Sequence, residues 1–310
     1  MKIIVTGGSG LVGHALQSVC QDSEHTILFL SSTDCDLLDK DQVKQLFVKE
    51  SPDAVIHLAA CVGGLFKNMN QKVEMYEKNM LMNHNVLSCC HDYQVKKVVS
   101  CLSTCIFPDN TTYPINETML HNGPPHSSND AYAYAKRMLE VQSKAYREQY
   151  NDNFICVIPT NIYGEHDNYS LQDAHVIPAL IHKCYLAKQK GEPFVVCGSG
   201  SPLRQFIYSK DLAKLIMWSL LEYQEKDSII LSVSEKDEVS IKQVSYLIAR
   251  EYDYQDHMVF DTSYSDGQYK KTADNGKLMS LHPQFEFTNI QTGIHHAVSW
   301  FNQNVSSCRK

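Results

Sequence analysis

Tyr132 and Lys136 open a stretch of helical periodicity that runs to Tyr150, and residues four apart on a helix share a face, so phenol and ammonium address one site. A free tyrosine has a pKa of about 10 and exchanges protons poorly at neutral pH; a nearby ammonium favours the phenolate and is expected to bring that value toward the working range. The pair alone fits an ordinary surface helix equally well. Ser103 shifts the balance, because it closes the apolar run Lys97–Leu102 at the carboxyl edge of what reads as a buried strand. Cys105 follows soon after; a lone cysteine after a strand is commonly a small buried hydrophobe, so the residue type alone assigns it no role. His175 precedes the apolar helical stretch Val176–Gln189 and brings an imidazole that titrates near neutral pH.

The elements that must hold these side chains begin at the amino end. Ile3-Ile4-Val5-Thr6-Gly7-Gly8-Ser9-Gly10-Leu11-Val12-Gly13 sets a glycine-rich turn between a buried strand and a helix, matching both G-x-G-x-x-G and G-x-x-G-x-x-G. In that context the missing side chains let the backbone approach a pyrophosphate, and free N–H groups at the helix start stabilise its charge. Gly7, Gly8, Ser9, Gly10, Leu11, Val12 and Gly13 are therefore expected to bind a dinucleotide. An NAD site usually presents an acid about 20 residues beyond this loop for the ribose 2′-hydroxyl. Here the second strand, Thr26–Leu30, runs into Ser31-Ser32-Thr33, with no acid at its tip, which favours NADP(H) because a carboxylate there would repel a 2′-phosphate. Asp36 is placed for the adenine edge, or else is a solvated turn carboxylate.

A chain of 310 residues, 43% hydrophobic and 20% charged, suits a globular protein of about two domains and excludes disorder or fibrous repeats as its main description. Lys plus Arg number 28 against 35 for Asp plus Glu, a net charge of −7, so nucleic acid is not an expected partner and any phosphate must be held by local cations or helix starts. The 11 cysteines are odd in number and include no C-x-x-C pair, which points to a reducing compartment and to neither a disulfide framework nor a zinc ribbon; no metal is expected. Met1 runs almost directly into strand-like Ile3-Ile4-Val5, and no apolar run approaches about 18 residues, so the expected location is the cytoplasm without a membrane segment. The sequons at Asn110, Asn116, Asn168 and Asn304 then read as chance matches.

Through about residue 160, short apolar runs (Lys2–Thr6, Thr26–Leu30, Ala54–Leu58, Lys97–Leu102, Phe154–Pro159) alternate with amphipathic stretches (Leu11–Cys20, Gln42–Glu50, Met75–His91, Tyr132–Tyr150). That rhythm predicts a parallel sheet with helices on both faces and a ligand at the carboxyl ends of its strands. Beyond Asn161 the rhythm breaks; the strand Phe194–Cys197, the helices Val176–Gln189 and Ile241–Tyr252 and the stretch Ile290–Phe301 suggest a smaller second lobe, while Leu212–Glu222 and Ile229–Val233 read as one more helix and strand. With no repeat or linker between them, the two lobes are expected to bind ligand across one interface.

The glycine loop, His57-Leu58-Ala59-Ala60, Asn79 with Asn83, Ser103 and Tyr132-x-x-x-Lys136 together resemble the extended short-chain dehydrogenase/reductase family. Within it the chain is most similar to members that both epimerise and reduce GDP-4-keto-6-deoxy-D-mannose. That finer likeness rests on Val62-Gly63-Gly64, Ser103-Thr104-Cys105-Ile106-Phe107-Pro108, Pro159-Thr160-Asn161-Ile162-Tyr163-Gly164, His166-Asp167-Asn168, His175-Val176-Ile177-Pro178-Ala179-Leu180 and Arg204-Gln205-Phe206, which spread over most of the chain. The glycine loop and Tyr-x-x-x-Lys are widespread in the superfamily; the Ser-Thr-Cys and His-Val-Ile-Pro segments discriminate.

The resemblance implies an α/β fold, a Rossmann-type doubly wound parallel sheet with a smaller C-terminal substrate-binding lobe. Residues 1–163, with about 205–235 packing back, would form the NADP-binding domain, and 164–204 with 236–310 the smaller lobe. Pro159, Thr160, Asn161, Ile162 and His175 would join the glycine loop around NADP(H), with Lys136 on the ribose hydroxyls. Ser103 and Tyr132 would hydrogen-bond the C4 oxygen of the sugar, Cys105 would be the base and His175 the acid of C3/C5 epimerisation, and a hydride would then reduce C4. Lys183, Arg204, Asp266 and Lys271 match positions that hold the nucleotide-sugar, and the helices Met75–His91 and Tyr132–Tyr150 resemble those that pair in homodimers. One position departs from the family pattern: Val196-Cys197-Gly198 stands where Val-Trp-Gly is usual, removing an aromatic surface beside the nucleotide.

Two rivals share the fold: a nucleotide-sugar 4-epimerase or 4,6-dehydratase, and a catalytically silent NADP-binding protein. Dehydratases of this type commonly carry an Asp-Glu pair where Cys105-Ile106 follows Thr104, and a silent protein should have lost part of Ser103, Tyr132 and Lys136, all of which are present.

Overall fold

The computed structural model describes residues 1–310 apart from Ser265 and Gly267, with the backbone alone at Leu65 and Phe66. The first half runs β1 (Lys2–Thr6), α1 (Leu11–Val19), β2 (Thr26–Leu30), α2 (Lys40–Glu50), β3 (Ala54–His57), α3 (Leu65–Asn70), α4 (Lys72–Asp92), β4 (Lys97–Cys101), α5 (Asp130–Tyr150) and β5 (Phe154–Pro159). There follow β6 (Asn161–Tyr163), α6 (Val176–Lys190), β7 (Phe194–Cys197), β8 (Leu203–Arg204), β9 (Phe206–Tyr208), α7 (Ser209–Leu221), β10 (Ile229–Leu231), β11 (Val239–Ser240), α8 (Ile241–Glu251), β12 (Met258–Asp261), α9 (Gly276–Leu281) and α10 (Ile290–Asn304).

Six strands form one parallel sheet in the order β2-β1-β3-β4-β5-β10. Successive side chains on a strand point to opposite faces, and here both faces are apolar. Ile4, Val55 and Val98 meet Val86, Leu87 and Leu139 of α4 and α5 on one side. Ile3, Val5, Ile56 and Val99 meet Ala15 and Leu16 of α1 and Leu212, Leu215 and Ile216 of α7 on the other. Each such aliphatic side chain, buried fully, contributes about 1.5–3 kcal/mol, which is why these strands read as near-continuous apolar runs. The parallel pairing sets Thr6 against His57, His57 against Ser100 and Ser100 against Cys156, which brings the carboxyl ends of β1, β3 and β4 to about one level while β5 runs on to Pro159.

From β1 the chain goes outward to β2 and then returns to the far side of β1 as β3, so the order reverses between β1 and β3 and a crevice opens at their carboxyl ends. A third apolar cluster, including Ile181, Phe194, Ile248, Ala297 and Phe301, joins α6, α8 and α10 to β7 and β9 on the other side of that crevice. Leu278 of α9 departs from this grouping; with Phe285 and Phe287 it packs beside β10 on the sheet. Among the described residues no helix is long and apolar enough to cross a membrane.

Candidate active site

A cavity of about 740 Å³ fills the crevice, walled by the glycine turn, the ends of β1, β3, β4 and β5, and the start of α6. Gly7 has φ +71°, and a Cβ there would meet the Ala59 backbone N at 2.8 Å. Gly10 lines the cavity; a Cβ on it would find one protein atom within 4 Å, the Gly7 oxygen at 3.3 Å, so the space it would take is cavity. Ser9, Leu11, Val12 and Gly13 share that wall, which fits a dinucleotide diphosphate lying against the backbone. Gly8 does not line it, contrary to the expectation that it binds the cofactor directly. Its N–H donates to the Leu30 oxygen at 2.7 Å and a Cβ would strike Phe29, so Gly8 is needed to press the turn onto β2.

The start of α1 at Gly10 and the start of α6 at His175 both lack a side-chain cap, and both face the same cavity. Their first N–H groups carry partial positive charge, an arrangement suited to anions. Asp36 lies on the wall, though one oxygen accepts the Leu38 N–H at 3.0 Å and braces a turn. The tip of β2 does gain an acid from the fold: Asp34 accepts from the Ser31 hydroxyl at 2.6 Å and from the Ser31 N–H at 2.8 Å, which draws it back outside the cavity lining. Cations arrive from elsewhere in the chain, Lys67 and Lys78, both on the cavity wall. Sequence spacing gave no sign of Lys78, which lies far from the β2 tip along the chain.

Beneath the wall is a buried polar relay. His57 is 0% exposed, with Nδ1 2.8 Å from Thr6 Oγ1 and Nε2 3.0 Å from Asn83 Oδ1. Burial first, and Lys136 second, hold its pKa down to about 4, so the ring is neutral and serves as a rigid strut. Asn79 accepts the Cys61 N–H at 2.9 Å and donates to the Cys61 oxygen at 2.9 Å, which shapes the loop after β3.

Ser103, Tyr132 and Lys136 all line the cavity at the end of β4. Tyr132 stands in the first turn of α5, and Lys136 one turn on, 2% exposed, donates to the Cys101 oxygen at 2.8 Å. The expected lowering of the phenol pKa by Lys136 is not what the structure shows. Burial, with the nearby Cys105, Cys101 and Cys61 thiols, pushes Tyr132 well above its ordinary value, while burial pulls Lys136 down. His175 is exposed on the cavity wall at the head of α6, and the surrounding protein depresses its pKa below the usual imidazole value. Pro159, Thr160, Asn161 and Ile162 complete the wall.

Cys105 sits in a single turn of 3₁₀ helix, Thr104–Ile106, 8% exposed, and its N–H donates to Ser103 Oγ at 3.4 Å. That turn is held by Arg137, a residue whose role the sequence reading missed. Its guanidinium donates twice to the Ile106 oxygen and once, at 2.9 Å, to the Gly123 oxygen. The available signal was an arginine on the same helical face as Ala133 and Glu140, both buried.

The four expected nucleotide-sugar residues separate. Arg204 lines the large cavity; Lys271 lines a smaller one that also includes Cys105; Lys183 and Asp266 line neither. Lys183 Nζ lies 3.6 Å from Cys197 Sγ, and Asp266 accepts the Ser199 N–H at 2.9 Å and the Ser199 hydroxyl at 2.6 Å. The Asp266 carboxylate thus shapes the turn after β7.

A parallel sheet reversing beside a glycine turn, two uncapped helix starts on one cavity and a Tyr–Lys pair at the next strand end define a doubly wound dinucleotide-binding protein of the short-chain dehydrogenase/reductase kind. The chain belongs to the NAD dependent epimerase/dehydratase family, whose pattern matches residues 3–233. It is 53% identical to the GDP-L-fucose synthase of Dictyostelium discoideum, over 99% of this chain and 97% of that one. It is 48% identical to the probable GDP-L-fucose synthase of Drosophila melanogaster, over 100% and 99% respectively. The crystal structure of a GDP-L-fucose synthetase from Naegleria fowleri bound to NADP matches it with a TM-score of 0.96 at 50% identity, covering 100% of this chain and 95% of that one.

Proposed function

We infer that this chain is an NADPH-dependent epimerase-reductase that converts GDP-4-keto-6-deoxy-D-mannose to GDP-L-fucose, inverting C3 and C5 and then reducing C4. The observation that carries this is the meeting of Ser103, Tyr132 and Lys136 at one cavity edge, in a chain similar along its whole length to GDP-L-fucose synthases. NADPH supplies the hydride for C4. Gly7, Ser9, Gly10 and the first turn of α1 receive its diphosphate, and Pro159–Ile162 and His175 form the opposite wall. Lys136 takes the ribose hydroxyls, and Lys67 and Lys78 offer charge to the remaining phosphate. The division into residues 1–163 with about 205–235, and 164–204 with 236–310, draws support from the third apolar cluster, with two adjustments: Leu278 to Phe287 move to the sheet side, and Tyr163, Phe206 and Tyr208 to the smaller lobe's cluster.

Ser103 and Tyr132 hydrogen-bond the C4 oxygen, which polarises the ketone and stabilises the enolate formed when Cys105 removes the proton from C3 or C5. His175 returns a proton on the opposite face, and Tyr132 protonates the C4 oxygen during reduction. Arg204 meets the sugar diphosphate, with Lys271 nearby, while Lys183 and the turn fixed by Asp266 flank the nucleotide end beside Cys197. The enzyme is read as a cytoplasmic homodimer. Support for the dimer is a set of apolar side chains on adjacent helices, with Val73 and Leu81 of α4 and Tyr134 and Val141 of α5 all exposed.

The test is NADPH oxidation with GDP-4-keto-6-deoxymannose and identification of the sugar formed. GDP-L-fucose is expected, and no cofactor oxidation would sink the reading. Cys105→Ser should slow deuterium exchange at C3 and C5 by roughly a hundredfold or more while largely sparing reduction of an already epimerised ketone. Equal loss of both steps would contradict the division of labour.

A further inference from the structure

Cys105 is assigned a base's work, yet it is a buried thiol, and burial pushes its pKa above the ordinary value. What opposes burial lies on the wall of a second cavity beside the large one, with a volume of about 10 Å³, room for one water. Cys105 and Lys271 both line it, together with Asp109, Tyr113, His126 and Gln268. The backbone holds Lys271 there. The Ile115 N–H donates to the Thr272 oxygen at 2.9 Å, the Asp274 N–H to the Ile115 oxygen at 2.8 Å, and Gln268 Nε2 to Tyr113 Oη at 2.5 Å. The adjacent Lys270 is engaged by Glu235 at 2.7 Å, whereas among the described residues Lys271 makes no ion pair.

We propose that Lys271 acts through Cys105: its ammonium, on the wall of the same one-water cavity, stabilises the thiolate that removes the carbon-bound proton. The proposal rests on Cys105 being the epimerisation base. In that step the C–H proton passes to sulfur, the electron pair stays with the substrate as its enolate, and Lys271 keeps its own protons. The other groups bearing on the thiol are Lys136, the Ser103 hydroxyl, Tyr132 and Arg137, and those bearing on Lys271 are Arg204 and Asp109. Of these, Lys271 is the largest influence lowering the thiol pKa, ahead of Ser103 and Lys136.

The experiment is alkylation of the full-length protein with iodoacetamide between about pH 6 and 11, followed at the Cys105 peptide by mass spectrometry. Lys271→Met should move the midpoint upward by about one pH unit, so that alkylation near neutral pH slows about tenfold, and Lys271→Arg should keep the wild-type midpoint. A Lys271→Met profile coincident with wild type overturns the proposal, as does a uniform slowing with no shift in midpoint, which would report access and not charge. Cys105→Ser that retains C3/C5 exchange would remove the base role, an outcome distinct from the alkylation result.

Discussion

Asp167 lies on the cavity wall, 4% exposed, with one oxygen accepting the Asn168 N–H at 2.7 Å and the other, Oδ2, lacking a partner. Burial pushes its pKa up to about 7. An unfolded Asp titrates near 3.9, so between those values the folded chain holds a proton that the unfolded chain does not, and stability falls as pH rises through that window. Asp167→Asn, which can keep the bond from Asn168, should therefore stabilise the fold by about 4 kcal/mol at pH 8 and by little at pH 4. Urea unfolding at both values checks this; the same gain at both would show that charge is not the cause. His57 contributes in the opposite sense: with its pKa held to about 4, stability falls as pH drops below the ordinary imidazole value. Residue types were largely legible from the chain, since a serine, a tyrosine and a lysine at strand and helix ends declare their chemistry. Their ionisation was not, because burial overrode the effect that the Tyr132–Lys136 spacing suggested.

At the scale of elements, β1, β2, β5 and β7 begin and end where the apolar runs do: the first three belong to the central sheet, and β7, paired with β12, alternates buried and exposed side chains. Helix starts were harder to read. The periodic stretch beginning at Tyr132 gains Asp130 and Ala131, and the one beginning at Met75 gains Lys72, Val73 and Glu74. The link between these two starts is a bond from Lys72 Nζ to Asp130 at 2.7 Å, a pairing that local spacing does not announce. Short pieces such as β6, β8, β9, β11 and β12 exist through pairing with distant partners and leave no local period. Arg137 belongs at this scale, since it joins α5 to the turn that carries Cys105. Arg137→Met would leave the Ile106 and Gly123 oxygens short of donors and should cost about 2–3 kcal/mol, measured by urea unfolding. Epimerisation and reduction should fall together, because Ser103 and Cys105 share that turn; full retention of both would show that the turn holds its shape unaided.

For the whole molecule, Val73 and Leu81 of α4 and Tyr134 and Val141 of α5 are apolar side chains left exposed on two adjacent helices. Burial of that face between two copies is the expected state, so Leu81→Arg combined with Val141→Arg should halve the mass seen by light scattering. An unchanged mass would count against a dimer built on that face. Around the central crevice, the sheet side contributes the start of α1 and the third cluster contributes the start of α6, each with N–H groups that no side chain caps. A dinucleotide lying along this cavity would touch both starts, and so would act as a crosslink between the two halves. Ligand at 100 times its Kd adds about 2.7 kcal/mol to the bound state by mass action, and that increment falls on the seam between the halves. Loaded protein is then expected to melt as one cooperative body, its two halves fastened to each other through the ligand they share.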